Sequence, residues 1–456
     1  MHQRIMSLLV LSLCAFAEPD RATVSSSQHR NPDSELEAKI DAYLAPYVAH
    51  RDFSGVVLIA RGDDVLMSKG YGMANYELGV PNTPDTKFRI ASLTKTFTAA
   101  AIVMLKERGM LSFDDKLNKF LPDFPKGDKI SVRHMLLHES GIPNPDYEAT
   151  FCKQLTIDEL VRSLARKPLD FEPGTSDKYS NGGFLLLAFI VEKVSGQSYE
   201  RFLHSNIFEP LGMKNTGNFD PEPIVSHRAS GYLPAPGPDK IENAPIRNLS
   251  SSVGSGSLYS TANDLFRWAR AVRSEQLYKR RALPYPFGWG ERKHLGHDCL
   301  EQAGITPGFR SKFLVYLDEP VTVVCLANIE SGLFSRWDKD LPAIIFQGKG
   351  KVPSSFPEAA AVAPQRLSEC VGDYQASSGL NLHVVERGGH LFSTFNDSPV
   401  RTYLMPTSEK ELFNRADYAT ITLSRNSEKR VGEMTWRFDG TGDPLKFVRV
   451  EKPQTK

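Results

Sequence analysis

A stretch rich in proline, serine and alanine, Val352–Ala363, divides the chain into two parts of different character. Before it, candidate helices alternate with candidate strands, whereas after it short strands follow one another at close spacing. Because 456 residues exceed one typical domain, this change predicts two folded units. We expect an α+β domain over residues 35–350, a linker over 351–366, and a small all-β barrel or sandwich over 367–456.

The first residues have the pattern of a secretory signal. Arg4 precedes an apolar run over residues 5–16, which ends in the small-x-small sequence Ala15-Phe16-Ala17. The run is too short to span a bilayer. We predict a signal peptide over 1–17, a flexible leader over 18–34, and export to the periplasm or the extracellular space, with no transmembrane segment after the signal is removed. The alternative is a buried N-terminal helix.

Charge and cysteine content argue against a nucleic-acid-binding protein and against a zinc or redox protein. The 55 basic and 54 acidic residues nearly cancel, and no basic stripe stands out, so nucleic acid is not an expected partner. The five cysteines form no C-x-x-C pair, which argues against a zinc or redox site. The charge balance by itself indicates no specific partner.

Local patterns predict the elements of the first part. A strand hairpin is expected over 55–60 and 65–71, and a buried strand containing Cys325 over 321–326. Helices are expected over these ranges: 36–48, 92–108, 156–165, 183–194, 199–207 and 261–272.

Ser92 and Lys95 lie at the start of the strongest predicted helix, three residues apart and so on one face. A serine hydroxyl is a weak nucleophile unless a neighbouring base takes its proton. A lysine can act as that base when burial or nearby positive charge lowers its pKa. The alternative without catalysis is a surface lysine that follows an N-cap serine.

Two further segments complete a candidate site. Tyr179-Ser180-Asn181 follows a turn and precedes a predicted helix, so Tyr179 could move protons to and from Ser92 while Asn181 contacts the substrate and Lys95. In Gln302-Ala303-Gly304-Ile305, a glycine would let a ligand approach the backbone. The N–H groups of Ser92 and Ile305 could then hold an oxyanion. Taken alone, each segment also fits an ordinary structural loop.

Together and in this order, the three motifs resemble those of class C β-lactamases, D,D-peptidases and related esterases. Further segments are similar to that family: 83–92, 136–141, 209–213 and 260–265. The resemblance implies an antiparallel sheet flanked by helices and a serine hydrolase that forms an acyl-enzyme on Ser92. Its substrate would be a small molecule or a peptide with an ester, amide or β-lactam bond, and no metal or organic cofactor is implied. The residues after Pro364 resemble the lipocalin-like domain that such hydrolases often carry.

One position departs from the family pattern. The family usually has lysine or histidine where this chain has Gln302, which donates hydrogen bonds but carries no charge. Recognition of a substrate carboxylate therefore needs another source of charge, and we predict that Arg310 supplies it. Gln302, Gly304 and Arg310 complete the predicted substrate-binding set with Asn181.

Two other functions are compatible with the sequence. A non-catalytic binding protein on the same fold would explain Gln302. A metallohydrolase could use His134 and His138, four residues apart on a candidate helix, but no carboxylate pattern or third ligand stands out nearby, and a structural role for both is the favoured interpretation.

Overall fold

A computed structural model describes residues 32–150, 153–218, 223–237, 239–245, 247–280, 287–349, 357–396, 401–428, 430–438 and 443–450. The predicted signal peptide and nearly all of the predicted leader lie outside these residues. None of the described helices is long and apolar enough to cross a membrane.

The described residues form helices and strands that we number in chain order. The α-helices are α1 Pro32–Ala49, α2 Thr94–Glu107, α3 Val132–Leu136, α4 Tyr147–Thr150, α5 Ile157–Ala165, α6 Asn181–Ser195, α7 Tyr199–Leu203, α8 Ala262–Ser274, α9 Trp337–Gln347 and α10 Pro364–Ser368. The strands of the first part are β1 Gly55–Arg61, β2 Asp64–Tyr71, β3 Met73–Asn75, β4 Val80–Pro81, β5 Phe88–Arg89, β6 Gly217–Asn218, β7 Tyr232–Pro234, β8 Ile241–Asn243, β9 Leu258–Ser260, β10 Gly290–His294, β11 His297–Thr306, β12 Phe309–Tyr316 and β13 Val321–Ala327. The strands of the second part are β14 Gly372–Ala376, β15 Asn381–Arg387, β16 His390–Phe395, β17 Thr402–Ser408, β18 Glu411–Asn414, β19 Ala419–Arg425, β20 Val431–Phe438 and β21 Leu445–Arg449.

The first part is built on a six-stranded antiparallel sheet in the order β10-β11-β12-β13-β1-β2. The hairpin β1–β2 and the buried strand β13 confirm the sequence predictions for those segments. Successive side chains of a strand point to opposite faces. In β1, Val56 and Leu58 join a core with the helices α2, α6 and α8, while Val57 and Ile59 join a second core with α1 and α9.

Capping explains where several predicted helices begin and end. Thr156 accepts a hydrogen bond from the Glu159 N–H, and the Glu159 carboxylate accepts one from Thr156 N–H, so α5 starts in a capping box. Gly196, at a φ of 69°, ends α6. The helix predicted from residue 92 differs, because α2 begins only at Thr94, after a 3₁₀ turn over Ala91–Leu93.

The second part is a closed eight-stranded barrel in which each strand pairs with its neighbours in sequence and β14 closes on β21. Alternate side chains fill its interior, among them Leu382, Ile421 and Trp436. The prediction of a small all-β barrel is confirmed. Its β17 and β18, which the sequence analysis did not identify, contribute Met405 and Phe413 to the core beneath α1 and α9, so the barrel packs on that face of the sheet.

Candidate active site

Ser92 lies in the 3₁₀ turn between β5 and α2. The preceding residue, Ala91, has a φ of 46°, a conformation that costs a non-glycine residue roughly 1–3 kcal/mol. Neighbouring elements hold the turn in place: Ser311 Oγ donates a 2.9 Å hydrogen bond to Ile90 O, and Ile90 N–H donates a 3.0 Å bond to Leu258 O. Hydrogen bonds from distant segments, rather than local sequence, therefore hold the backbone that carries Ser92.

Lys95 lies one turn further along, with only 1% of its surface exposed. Its Nζ is 3.2 Å from Ser92 Oγ and donates 2.7 Å hydrogen bonds to Asn181 Oδ1 and to Ser255 O. All three neighbours are neutral, and burial holds the pKa of the Lys95 amine well below its usual value. Two hydrogens of a neutral amine satisfy Asn181 and Ser255, which leaves its lone pair for Ser92.

Tyr179 approaches Ser92 from the other side. Its hydroxyl is 2.6 Å from Ser92 Oγ, while 48% of the residue remains exposed along the cleft. Burial of the hydroxyl, reinforced by the Tyr147 phenol, raises the pKa of Tyr179 to about 12 despite the hydrogen bond with Ser92. At neutral pH the group is therefore a phenol that can give a proton. Lys95 Nζ lies 4.6 Å from the centroid of the Tyr179 ring.

Asn181 is presented by the first turn of α6. The hydroxyl of Ser180 caps this helix by accepting a bond from Gly183 N–H, and Asn181 N–H donates to Asn144 Oδ1 at 2.8 Å. These bonds orient the loop so that Asn181 Oδ1 faces Lys95.

The outer edge of β11 runs past Ser92. Strand β10 begins at Gly290, opposite Glu301, so within the described residues no strand pairs with the outer edge of 302–306. The turn containing Ser92 packs against this segment. A Cβ added at Gly304 would overlap Ile90 O and Ser311 Oγ. Only glycine therefore lets the strand come this close to the nucleophile turn.

Gln302 faces a small cavity of about 310 Å³ at the start of this edge. The cavity is also lined by Tyr179, His138, Phe287 and Trp289. Gln302 Nε2 donates a 2.8 Å hydrogen bond to Gly288 O, so its amide is anchored at the cavity wall. The cavity is mainly aromatic, and its described lining carries no lysine or arginine.

Arg310, predicted to replace the missing charge, lies elsewhere. It pairs with Ile305 across the strands, but its side chain points to the opposite face of the sheet from Ser311 and Ser92. There its Nη2 donates a 3.1 Å hydrogen bond to Ala416 O of the barrel and lies 3.6 Å from Glu330 Oε1. Strand alternation therefore corrects that prediction, and Arg310 is an interface residue.

His138 belongs to the site, although the sequence analysis considered it only as a structural residue or a metal ligand. Its Nδ1 accepts a 3.0 Å hydrogen bond from Ser180 N–H, and its ring lies 4.8 Å from that of Tyr179. Burial lowers the pKa of His138 to about 4, so the ring is neutral. It supports the loop that carries Tyr179. Sequence spacing could not show this, because the two residues are 41 positions apart.

The geometry on which the metallohydrolase alternative depended is absent from the described chain. α3 ends at Leu136, and His138 follows it with a φ of 63°, so His134 and His138 do not share a helical face. His134 instead closes the capping box of α3 with Ser131. No group of three candidate metal ligands occurs among the residues that the structure describes.

The chain matches one protein-family model and is similar to several known proteins. The β-lactamase family model matches residues 40–341. Penicillin-binding protein 4* of Bacillus subtilis is 30% identical over 409 residues, which cover 80% of this chain and 88% of that protein. Teichoic acid D-alanine hydrolase of Staphylococcus aureus is 27% identical and covers 64% of this chain and 73% of its own length. The crystal structure of D-amino acid amidase from Ochrobactrum anthropi matches with a TM-score of 0.60 and 25% identity, over 67% of this chain and 95% of that one.

Proposed function

Because the chain belongs to the β-lactamase family, we propose that it is a serine hydrolase that cleaves an ester or amide bond through an acyl-enzyme on Ser92. The observation that carries the proposal is the position of Ser92 Oγ, 3.2 Å from a buried amine and 2.6 Å from a phenol. A nucleophile between a base and an acid is the arrangement that acyl transfer needs.

Lys95 acts as the general base in the first step. Burial lowers its pKa, which favours the neutral amine that can take the Ser92 proton. Ser92 Oγ then attacks the substrate carbonyl carbon. The N–H groups of Ser92 and Ile305, on the nucleophile turn and the open strand edge, are the proposed donors to the resulting oxyanion.

Tyr179 acts as the general acid. With a pKa of about 12 it holds its proton until the leaving oxygen or nitrogen accepts it, and the Lys95 ammonium restores the phenol through the shared hydrogen-bond network. Water then attacks the acyl carbon and gives a proton to Lys95, which passes it to Ser92 Oγ as the bond between Oγ and the acyl carbon breaks and the acid is released. Asn181 holds Lys95 and is the proposed contact to the substrate amide.

The substrate is proposed to be an ester or amide of a D-amino acid. The names of two similar proteins, a teichoic acid D-alanine hydrolase and a D-amino acid amidase, support this class. The neutral Gln302 at the aromatic cavity supports a leaving group without a carboxylate, which makes β-lactam turnover the less favoured reaction. Export through residues 1–17 stays a prediction, and a periplasmic or extracellular setting would suit such a substrate.

Intact-protein mass spectrometry after incubation with a fluorophosphonate tests the proposal. We expect one adduct that maps to Ser92 and is missing in Ser92→Ala. A parallel incubation with a penicillin should give a slower or no adduct. Labelling of Ser92→Ala at the same rate as the wild type would reject Ser92 as the nucleophile. Folded wild-type protein that neither reacts nor hydrolyses any ester would instead favour the non-catalytic binding protein.

A further inference from the structure

A second cavity lies at the other end of the open β11 edge. It has a volume of about 540 Å³, and Arg89, Arg228, Asn243, Pro307 and Phe309 are among its lining residues. We call it the arginine pocket. Gln302 borders the aromatic cavity, whereas Pro307 borders the arginine pocket, and five residues of strand span about 17 Å. Ser92 lies between the two cavities, beside Gly304.

The arginine pocket concentrates positive charge. Its described lining includes two arginines and no acidic side chain. Arg228 is exposed, and Arg89 is partly buried with its guanidinium 5.6 Å from the centre of the Phe309 ring. Burial and the charges of Arg228 and Arg247 lower the pKa of Arg89 to about 10. Like charges this close favour a bound anion, which would relieve their repulsion.

Arg247 connects the arginine pocket to the catalytic groups. Its Nη2 donates a 3.1 Å hydrogen bond to Ser252 Oγ, and its guanidinium carbon lies 4.2 Å above the Tyr147 ring. Tyr147 in turn forms a side-chain hydrogen bond with Asn181. The positive region therefore reaches from the cavity to the residue proposed to contact the substrate amide.

The position of Tyr179 assigns the two cavities to different parts of a substrate. The leaving group must depart on the side from which it receives a proton, and Tyr179 lines the aromatic cavity. The acyl group of the substrate then extends the other way, toward Pro307 and Phe309.

We propose that the arginine pocket binds an anionic group, a carboxylate or a phosphate, at the far end of the substrate's acyl part. This inference rests on the proposed hydrolase function and deepens it. It places the charge that Gln302 lacks at the opposite end of the cleft, carried by Arg89 and Arg228 and reinforced by the nearby charge of Arg247. It also predicts discrimination against acyl groups that carry an ammonium at this far end, as distinct from the α-ammonium that a D-aminoacyl group carries next to the scissile carbonyl.

Three matched 4-nitrophenyl esters test the proposal on the whole protein. Their acyl groups are adipoyl, which ends in a carboxylate, adipamoyl, which ends in a neutral amide, and 6-aminohexanoyl, which ends in an ammonium. We expect kcat/KM to be about ten-fold or more higher for the carboxylate than for the amide, and lowest for the ammonium. A fourth ester that ends in a phosphonate shows which anion is preferred.

Arg228→Gln and Arg247→Gln should each lower about ten-fold the ratio of kcat/KM for the anionic esters to kcat/KM for the neutral ester. Arg270→Gln is the matched control, since Arg270 lines a separate cavity with Pro210 and Pro320. Its substrate preference should equal that of the wild type.

Equal kcat/KM for the anionic and neutral esters in the wild type would overturn the inference, and so would a preference that survives in the Arg228→Gln/Arg247→Gln double variant. The assignment to the acyl side would be overturned if Arg228→Gln slowed only substrates with an anionic leaving group and left substrates with an anionic acyl group unaffected. In each case, Ser92 would still react with a fluorophosphonate, whereas failure of the proposed function would abolish that labelling.

Discussion

Each face of the six-stranded sheet buries a lysine, and the two lysines have opposite surroundings. Lys95, on the face with α2 and α6, is 1% exposed and has only the neutral oxygens of Ser92, Asn181 and Ser255 within hydrogen-bond distance in the described structure. Lys312, on the face with α1 and α9, is 5% exposed and donates a 3.1 Å hydrogen bond to the Glu301 carboxylate.

Whether a buried lysine has a carboxylate partner decides whether its amine is suited to proton transfer or to stabilising the fold. A buried amine without a carboxylate partner loses its proton readily, because nothing compensates the desolvation of its charge. A buried amine with a partner keeps its charge and stabilises that partner. On the second face, burial alone would raise the pKa of Glu301, but the hydrogen bond from His294 and the charge of Lys312 bring it down to about 2.

Exchanging each lysine for methionine is the strongest test of this contrast. Lys95→Met should lower kcat/KM roughly 10³-fold, since it removes the proposed general base, and should leave the thermal midpoint unchanged or raised. Lys312→Met should do the reverse: a lower midpoint, with kcat/KM within a few-fold of the wild type. Ester hydrolysis and thermal denaturation of both variants measure this. If Lys95→Met were fully active, the assigned difference between the faces would be wrong.

A buried ion pair between the barrel and the first part gives a second test of the face that carries Lys312. Arg415 of the barrel and Asp52 of the first part form an ion pair that is 6% and 4% exposed, and Arg415 Nη2 also donates to His50 O. Arg415→Met should destabilise the protein by about 3–5 kcal/mol, because it leaves a carboxylate buried without its partner. Adding Asp52→Asn should recover part of the loss. Denaturant unfolding of the single and double variants measures the coupling, and strictly additive losses would contradict it.

Acid titration separates Glu301 from the other carboxylates. Its folded pKa of about 2 lies below the usual 4.5, so its contribution to stability is complete above about pH 4.5 and is lost as the pH falls toward 2. The shift corresponds to roughly 3 kcal/mol. We expect the free energy of unfolding of the wild type to fall more steeply over this range than that of Glu301→Gln. Parallel pH curves for the two proteins would show that the ion pair contributes nothing.

The smallest expected effect concerns the contact between β11 and the nucleophile turn. Gly304→Ala should cost about 1–3 kcal/mol, since its Cβ would overlap Ile90 O and Ser311 Oγ, and should reduce kcat as the strand moves away from Ser92. Gly290→Ala on β10 is the matched control for stability, because its Cβ would meet Glu301 only at 3.5 Å, an ordinary contact distance. Equal unfolding energies for the two variants would argue against the close approach at Gly304.

Much of the fold was predictable from local patterns. The β1–β2 hairpin, the buried strand with Cys325, and the succession of short strands after Pro364 are read from alternation and turn residues, which act over a few positions. The prediction that Ser92 begins a helix was wrong by two residues. The cause is the positive φ of Ala91, which is held by Ser311 and Leu258, far away in the chain.

By itself, the sequence determined which chemical groups are present and which lie within one helical turn or one strand, as with Ser92 and Lys95. Only the tertiary structure decided which side of the sheet each group occupies. Arg310 lies six residues from Gly304 yet faces the barrel, while Ser255, 160 residues from Lys95, accepts a hydrogen bond from its amine. The physical reason is that a lysine's pKa and an arginine's ligand depend on the burial and partners that distant segments supply.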